Sequence, residues 1–175
     1  MDSVIRLAKA EESENIVSFY HKLIDDITPT EYYPKWKKGI YPDDEYIRSS
    51  VRKGEMYIAL SGENQIGAMV INHHTTDGYA TAKWNVSAGE KDVSIIHILC
   101  VSPEYSRLGI GKKMVKAAID ICRKNGQKAV RLDVLRENLP AQKLYRSMGF
   151  VFIERIKLFY EVTGLCDFDL YEYAL

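Results

Sequence analysis

The stretch with the most chemical potential reads Val101-Ser102-Pro103-Glu104-Tyr105-Ser106-Arg107-Leu108-Gly109-Ile110-Gly111-Lys112-Lys113. An apolar run ends at Val101, and a glycine turn then leads into a helix-like pattern. Gly109 and Gly111 permit backbone conformations and close approaches that a side chain would block, and free amides at a helix N-terminus can point at phosphate oxygens. Lys112 and Lys113 add positive charge. The segment has the makings of an anion cradle, although a tight strand-to-helix connection would use the same glycines. Two stricter phosphate loops are excluded by spacing. A P-loop needs Gly where Ser106 stands and Ser or Thr where Lys113 stands, and a dinucleotide fingerprint needs its third small residue at Met114.

Other reactive side chains are sparse. His97 lies in the apolar run before the loop, where an ordinary pKa of about 6.5 leaves the ring mostly neutral and able to accept a proton at pH 7. A core histidine bonded to a neighbour is the competing reading. His73-His74 alternate across a strand and lack companion carboxylates or thiols, so no metal site is expected. Cys100, Cys122 and Cys166 are an odd number at spacings unlike zinc or disulfide frameworks, and read as buried free thiols.

The elements that must position these groups follow from hydrophobic spacing. Residues 4–7 form a short strand, and Ile16, Phe19, Tyr20, Leu23, Ile24 and Ile27 repeat at helical steps until Pro29 stops them. A second helix follows Pro42, with Asp43, Asp44 and Glu45 at its start and Gly54 at its end. Residues 56–60 and 66–71 flank a polar turn as a hairpin, and 81–86 are expected as a third antiparallel strand. The run 93–101 is apolar on both faces and reads as a central strand with 95, 97, 99 and 101 on one side. A helical stripe from Ile110 to Cys122, a strand over 129–135, a helix through Ala141, Leu144, Tyr145 and Met148, and strands over 150–162 and 168–175 complete the chain. Strands 93–101 and 129–135 form the one clear parallel crossover, and ligands favour the carboxyl ends of such strands, which is where the glycine loop falls.

Composition sets the outer limits. With 175 residues, 46% hydrophobic and 27% charged, the chain is an ordinary globular one and reads as a single domain over 1–175. Lys plus Arg and Asp plus Glu both number 24, so no net field favours nucleic acid or a membrane surface, and neither is expected as a partner. The first residues are charged rather than leader-like, which implies a cytoplasmic protein.

The loop resembles the acyl-CoA signature of the GNAT superfamily of N-acetyltransferases, Gln/Arg-x-x-Gly-x-Gly/Ala, here Ser106-Arg107-Leu108-Gly109-Ile110-Gly111. Further matches fall in register: Leu99-Cys100-Val101, Pro103, Tyr105, and Asn138-Leu139-Pro140-Ala141-Gln142-Lys143-Leu144-Tyr145-Arg146-Ser147-Met148-Gly149-Phe150. Ser106 departs from the usual Gln or Arg, which appears one place later as Arg107. The resemblance implies an α/β fold, a mixed central sheet of about seven strands flanked by about four helices. It implies acetyl-CoA as co-substrate, with Arg107, Gly109, Gly111 and Lys112 at the pyrophosphate, the main chain of Leu99 and Val101 along the pantetheine, and Asn138 beside the cofactor. Tyr145 matches the tyrosine that serves the leaving thiolate, and His97 matches a position where some members keep a histidine base.

The implied activity is transfer of an acetyl group to a primary amine of a small molecule or peptide by direct attack in a ternary complex. A non-catalytic acyl-CoA sensor is the alternative. Acceptor walls are expected from residues 32–41 and the hairpin near 160–167, with Glu31, Asp43, Glu161 or Asp167 drawing in a cationic amine. The exposed late strands leave a homodimer open.

Overall fold

The computed structural model describes residues 2–27 and 34–175. Its strands are β1 (Val4–Leu7), β2 (Met56–Ser61), β3 (Asn64–Asn72), β4 (Val93–Val101), β5 (Ala129–Leu135), β6 (Val151–Tyr160) and β7 (Gly164–Ala174). They form a seven-stranded sheet in the order β1-β2-β3-β4-β5-β7-β6. Every pairing is antiparallel except β4 with β5. The helices are α1 (Ser13–Ile27), α2 (Asp44–Arg52), α3 (Ile110–Lys124) and α4 (Leu139–Ser147). This is the α/β architecture expected, with four helices around one mixed sheet.

Each helix is present because one face is apolar. Ile16, Val17, Tyr20, Leu23 and Ile24 are buried along α1, and Ile110, Met114, Val115, Ala118, Ile119 and Cys122 along α3. Fully burying an aliphatic side chain of this size stabilises by about 1.5–3 kcal/mol. Asp43 caps α2 by accepting the Tyr46 amide at 2.8 Å, and Asn138 caps α4 through the Ala141 amide at 3.2 Å. α1 and α2 cover one face of β2–β4, whereas α3 and α4 cover the other face of the sheet.

Two expectations about the sheet are corrected. Residues 81–86 are no strand; they belong to a strap, residues 73–92, that crosses the sheet face at β5 and β7 and packs Tyr79, Ala82, Trp84 and Val86 onto Ile95, Ala129 and Leu170. Glu172 of β7 accepts the amides of Asn85 and Val86 at 2.9 and 3.0 Å, so side chain rather than strand partners satisfy that backbone. The alternation along β4 also breaks. Val70 pairs with His97 but Ala68 with Cys100, so β4 carries one extra residue there, and Ile98 has φ 44°. Tyr20 Oη donates to the Ile98 carbonyl at 2.9 Å and holds the bulge from α1.

The cysteines are unbridged: Cys100 and Cys122 are buried as expected, while Cys166 is half-buried. Among the described residues no helix is long and apolar enough to cross a membrane, and no group of three or more His, Cys, Asp or Glu side chains is placed to hold a metal ion.

Candidate active site

The site follows from how β4 and β5 part. They pair only from Val93–Ala129 to Ile95–Arg131, after which β4 stays with β3 and β5 stays with β7. The parallel sheet therefore opens like a V at its carboxyl end, where a ligand can enter. Beyond the bulge, Leu99 and Val101 pack toward the α3 and α4 side with Ile96, and Ile98 and Cys100 toward α1 and α2. His97 therefore does not share a face with Leu99 and Val101 as strict alternation requires. It reaches Asn72 on the α1–α2 side at 3.0 Å.

On the α3 side lies a cleft of about 760 Å³ bordered by Leu99, Val101, Arg107, Gly109, Gly111 and Lys112. The expected cofactor residues are thus brought together, and Asn138 joins them. Lys143 also borders the cleft and was not foreseen. Gly109 has φ 79° and space where a Cβ would stand, and Arg107 is left-handed too at φ 61°. A left-handed residue followed at once by the right-handed start of a helix, as at Gly109 and Ile110, turns successive amides into an anion-binding concavity. The Lys113 amide bonds to the Gly109 carbonyl at 3.1 Å, which leaves the amides of Ile110, Gly111 and Lys112 at the helix start without i−4 carbonyls of their own helix. The donor set fits a pyrophosphate without the side chain that Ser106 lacks. Gly111 has a packing reason as well, because a Cβ there would press on Leu144 at 3.2 Å.

In the opening between β4 and β5 runs a narrower channel of about 100 Å³ lined by Trp36, Tyr41, His97, Asp133, Tyr145 and Tyr160. Leu99, Asn138, Ala141 and Tyr145 border both spaces, so the channel meets the cleft at Tyr145. Rings continue along one wall, with Trp36 to Tyr41 centroids at 6.4 Å, Tyr41 to Tyr160 at 5.1 Å and Tyr160 to Phe168 at 5.1 Å. The expected aromatic walls from both segments are present at Trp36, Tyr41 and Tyr160, whereas Glu31, Tyr32 and Tyr33 lie outside the described residues. The expected acids among the described residues do not line the channel: Asp43 caps α2, Asp167 pairs with Lys157 at 3.0 Å and Arg136 at 3.4 Å, and Glu161 is exposed.

The channel's carboxylate is Asp133, on β5, which the sequence reading missed. Its signal was present, since Arg131 and Asp133 interrupt an otherwise apolar strand at alternate positions, and a charged group in a buried strand is informative. Burial raises the Asp133 carboxyl above its ordinary range, and the phenols of Tyr79 and Tyr160 oppose the shift by hydrogen bonding to it. His97 moves the other way, lowered to about 4 by burial. Asn72 Nδ2 donates to Glu55 Oε2 at 3.1 Å, so Asn72 Oδ1 faces His97 and receives its Nε2 proton. Burial also raises the Tyr145 phenol, whose ring packs edge-on to Phe150 at 5.5 Å.

A cleft with an anion cradle at one end, joined to a channel holding a carboxylate and a phenol, fits an enzyme that works on a phosphate-bearing ligand. The pattern of the acetyltransferase (GNAT) family matches residues 20–150, and the chain belongs to that family. It is accordingly an acetyltransferase, with acetyl-CoA as its co-substrate. Among similar proteins, N-alpha-acetyltransferase 50 of Danio rerio is 27% identical over 161 residues, covering 87% of this chain and 88% of that one. A GNAT-family acetyltransferase from Streptococcus agalactiae has the same fold, with a TM-score of 0.79 at 15% identity over 99% of this chain and 95% of the other. NAA60 of Arabidopsis thaliana, solved in complex with acetyl-CoA, superposes with a TM-score of 0.70 at 21% identity over 99% and 100% of the two chains.

Proposed function

We propose that residues 1–175 act as one cytoplasmic domain that transfers acetyl from acetyl-CoA to a primary amine by direct attack in a ternary complex, and that a peptide α-amine is the preferred acceptor. The observation that carries the reading is the junction at Tyr145, where the cofactor cleft meets an aromatic channel with its own carboxylate. The pyrophosphate rests on Arg107, Gly109, Gly111 and Lys112, pantetheine runs along the main chain of Leu99 and Val101, which β5 leaves unpaired there, and Asn138 flanks it. The thioester carbon then faces the channel, and the amine arrives past Trp36, Tyr41 and Tyr160.

Attack requires a neutral amine. A lysine-like amine of pKa about 10.4 costs roughly 4–5 kcal/mol to deprotonate at pH 7, whereas a peptide α-amine of pKa near 8 costs about 1.4 kcal/mol. The acceptor available is an aspartate raised by burial, a weak base that matches the second amine better. The Danio rerio relative carries an N-alpha name, which agrees with this preference. Asp133 takes the proton as nitrogen bonds to the acetyl carbon and the carbon–sulfur bond breaks. His97 borders the same channel and is the second reading for the base, although a ring lowered to about 4 is the poorer acceptor.

Tyr145 serves the leaving sulfur. A thiol of pKa about 8.5 and a phenol already above 10 make full proton transfer uphill, so Tyr145 donates a hydrogen bond to the developing thiolate. A covalent acetyl-enzyme is disfavoured because Cys100, the thiol beside the cleft, has its pKa pushed to about 12 by burial. Release of free CoA from acetyl-CoA, followed with N-terminally free peptides, N-blocked lysine peptides and spermine, tests the proposal. Intersecting double-reciprocal lines and preference for free N-termini are expected. Binding of acetyl-CoA without turnover on any amine would return the protein to the sensor reading.

A further inference from the structure

The carboxylate of the channel is held from behind. Tyr160 Oη, from β6, donates to Asp133 Oδ2 at 3.3 Å, and Tyr79 Oη donates to Asp133 Oδ1 at 2.8 Å. Tyr160 lines the channel, but Tyr79 does not; it is 4% exposed and comes from the strap of residues 73–92 on the opposite side of the carboxylate.

A chain of contacts fixes that strap. Trp84 Nε1 donates to the Tyr79 carbonyl at 2.9 Å, and the Arg131 guanidinium lies 4.2 Å from the Trp84 ring centroid. Arg131 Nε donates to Glu172 Oε2 at 2.8 Å and its Nη2 to the Val86 carbonyl at 2.7 Å. Glu172 Oε1 in turn accepts the amides of Asn85 and Val86. Gly78 is tucked so closely against β6 that a Cβ would run into Ile156 and Leu158. Arg131 and Asp133 are alternate residues of β5 and share a sheet face. The strand that presents the carboxylate therefore also anchors the strap that grips it.

We propose that the strap is a positioning device of the active site, in which Tyr79, held by the Trp84–Arg131–Glu172 clasp, fixes the orientation of Asp133 and sets the pH at which it becomes ionised. This rests on the reading of Asp133 as the proton acceptor. The other titratable groups around Asp133 are Tyr41 ahead of α2, Tyr145 of α4, Tyr160 of β6 and His97 of β4, and at neutral pH none of them supplies a positive charge. Stabilisation of the carboxylate by these neighbours thus comes from phenol donors, and deleting one favours the protonated acid.

The test is Tyr79→Phe, which keeps the ring against Trp84 and removes only the hydroxyl. Loss of a hydrogen bond to a charged group should move the acidic limb of the kcat/KM profile by about one pH unit to higher pH. Acetyl-CoA affinity should stay near that of the parent protein. A limb that does not move, with turnover scaled down at all pH values or unaffected, would overturn the proposal. Trp84→Phe keeps an aromatic ring over Arg131 but loses the bond to the Tyr79 carbonyl, and a smaller shift in the same direction is expected. Should Tyr79→Phe not fold, the Asp133 carboxyl titration in Trp84→Phe, followed by carbon-13 resonance, decides the matter, and an unchanged midpoint overturns the proposal. Asp133→Asn separates the two claims. A limb that survives in that variant refutes Asp133 as proton acceptor, whereas a limb lost there but unmoved in Tyr79→Phe refutes only the strap.

Discussion

His97→Gln probes the electrostatics of the channel wall directly. In the folded protein burial lowers the ring to about 4, against about 6.5 in an unfolded chain. Between those values the unfolded state binds more protons, so stability is fully present above about pH 6.5 and is lost as pH falls toward 4. The whole difference of about 2.5 units corresponds to roughly 3.4 kcal/mol, and the two-state titration expression gives about 2 kcal/mol already lost at pH 5. A glutamine amide can donate to Asn72 Oδ1 as the imidazole does, so the variant removes the titration while keeping the hydrogen bond. Urea unfolding of both proteins at pH 8 and pH 5 provides the readout. The parent protein should lose about 2 kcal/mol more than the variant over this interval. Equal losses would refute the claim that burial keeps His97 neutral. The same measurement bears on mechanism: a ring that titrates near 4 does not account for an acidic limb at higher pH, whereas burial raises the Asp133 carboxyl.

If the Tyr145 phenol bonds to the developing thiolate as proposed, Tyr145→Phe should reduce turnover by about ten- to a hundredfold while the acetyl-CoA dissociation constant, read by calorimetry, changes little. A full rate in that variant would return Tyr145 to a packing role. Glu172→Gln leaves the buried Arg131 without its counter-charge, and breaking a buried pair of this kind should cost about 3 kcal/mol in urea unfolding. A loss below about 1 kcal/mol would mean that Arg131 is rehydrated rather than enclosed.

Much of this architecture is legible in the sequence because it is local. The stripes of α1 and α3 are written at three- and four-residue steps, and the cradle is a loop whose glycines carry their own conformational reason at Gly109, with φ 79°. What the sequence hides depends on partners far along the chain. The β4 bulge is held by Tyr20, 78 positions away, so strict alternation misplaces His97 relative to Leu99 and Val101. The apolar pattern over 81–86 has the spacing of a strand, but its amides at Asn85 and Val86 are taken by Glu172, up to 87 positions distant. Asp133 is hidden for the same reason. Its meaning comes from Tyr79, Tyr160 and the separation of β4 from β5, none of which is a neighbour in sequence.

The bulge is also what ties the two halves of the site together. A β-branched residue at φ 44° is strained by about 1–3 kcal/mol, yet Ile98 is held there by the buried Tyr20 hydrogen bond and by its own packing among α1 and α2 side chains. With that one extra residue, Leu99 and Val101 turn toward the cleft while His97 stays with Asn72 on the other face. β4 also leaves β5 after Ile95, ahead of the bulge, which opens the channel between them and frees one edge of β4. A strand of perfect alternation would leave Leu99 and Val101 on the face of His97, away from Ile96 and the cleft. Leu99 and Val101 thus reach the cleft through a single local irregularity, and the channel's carboxylate, Asp133, stands on the strand across the gap.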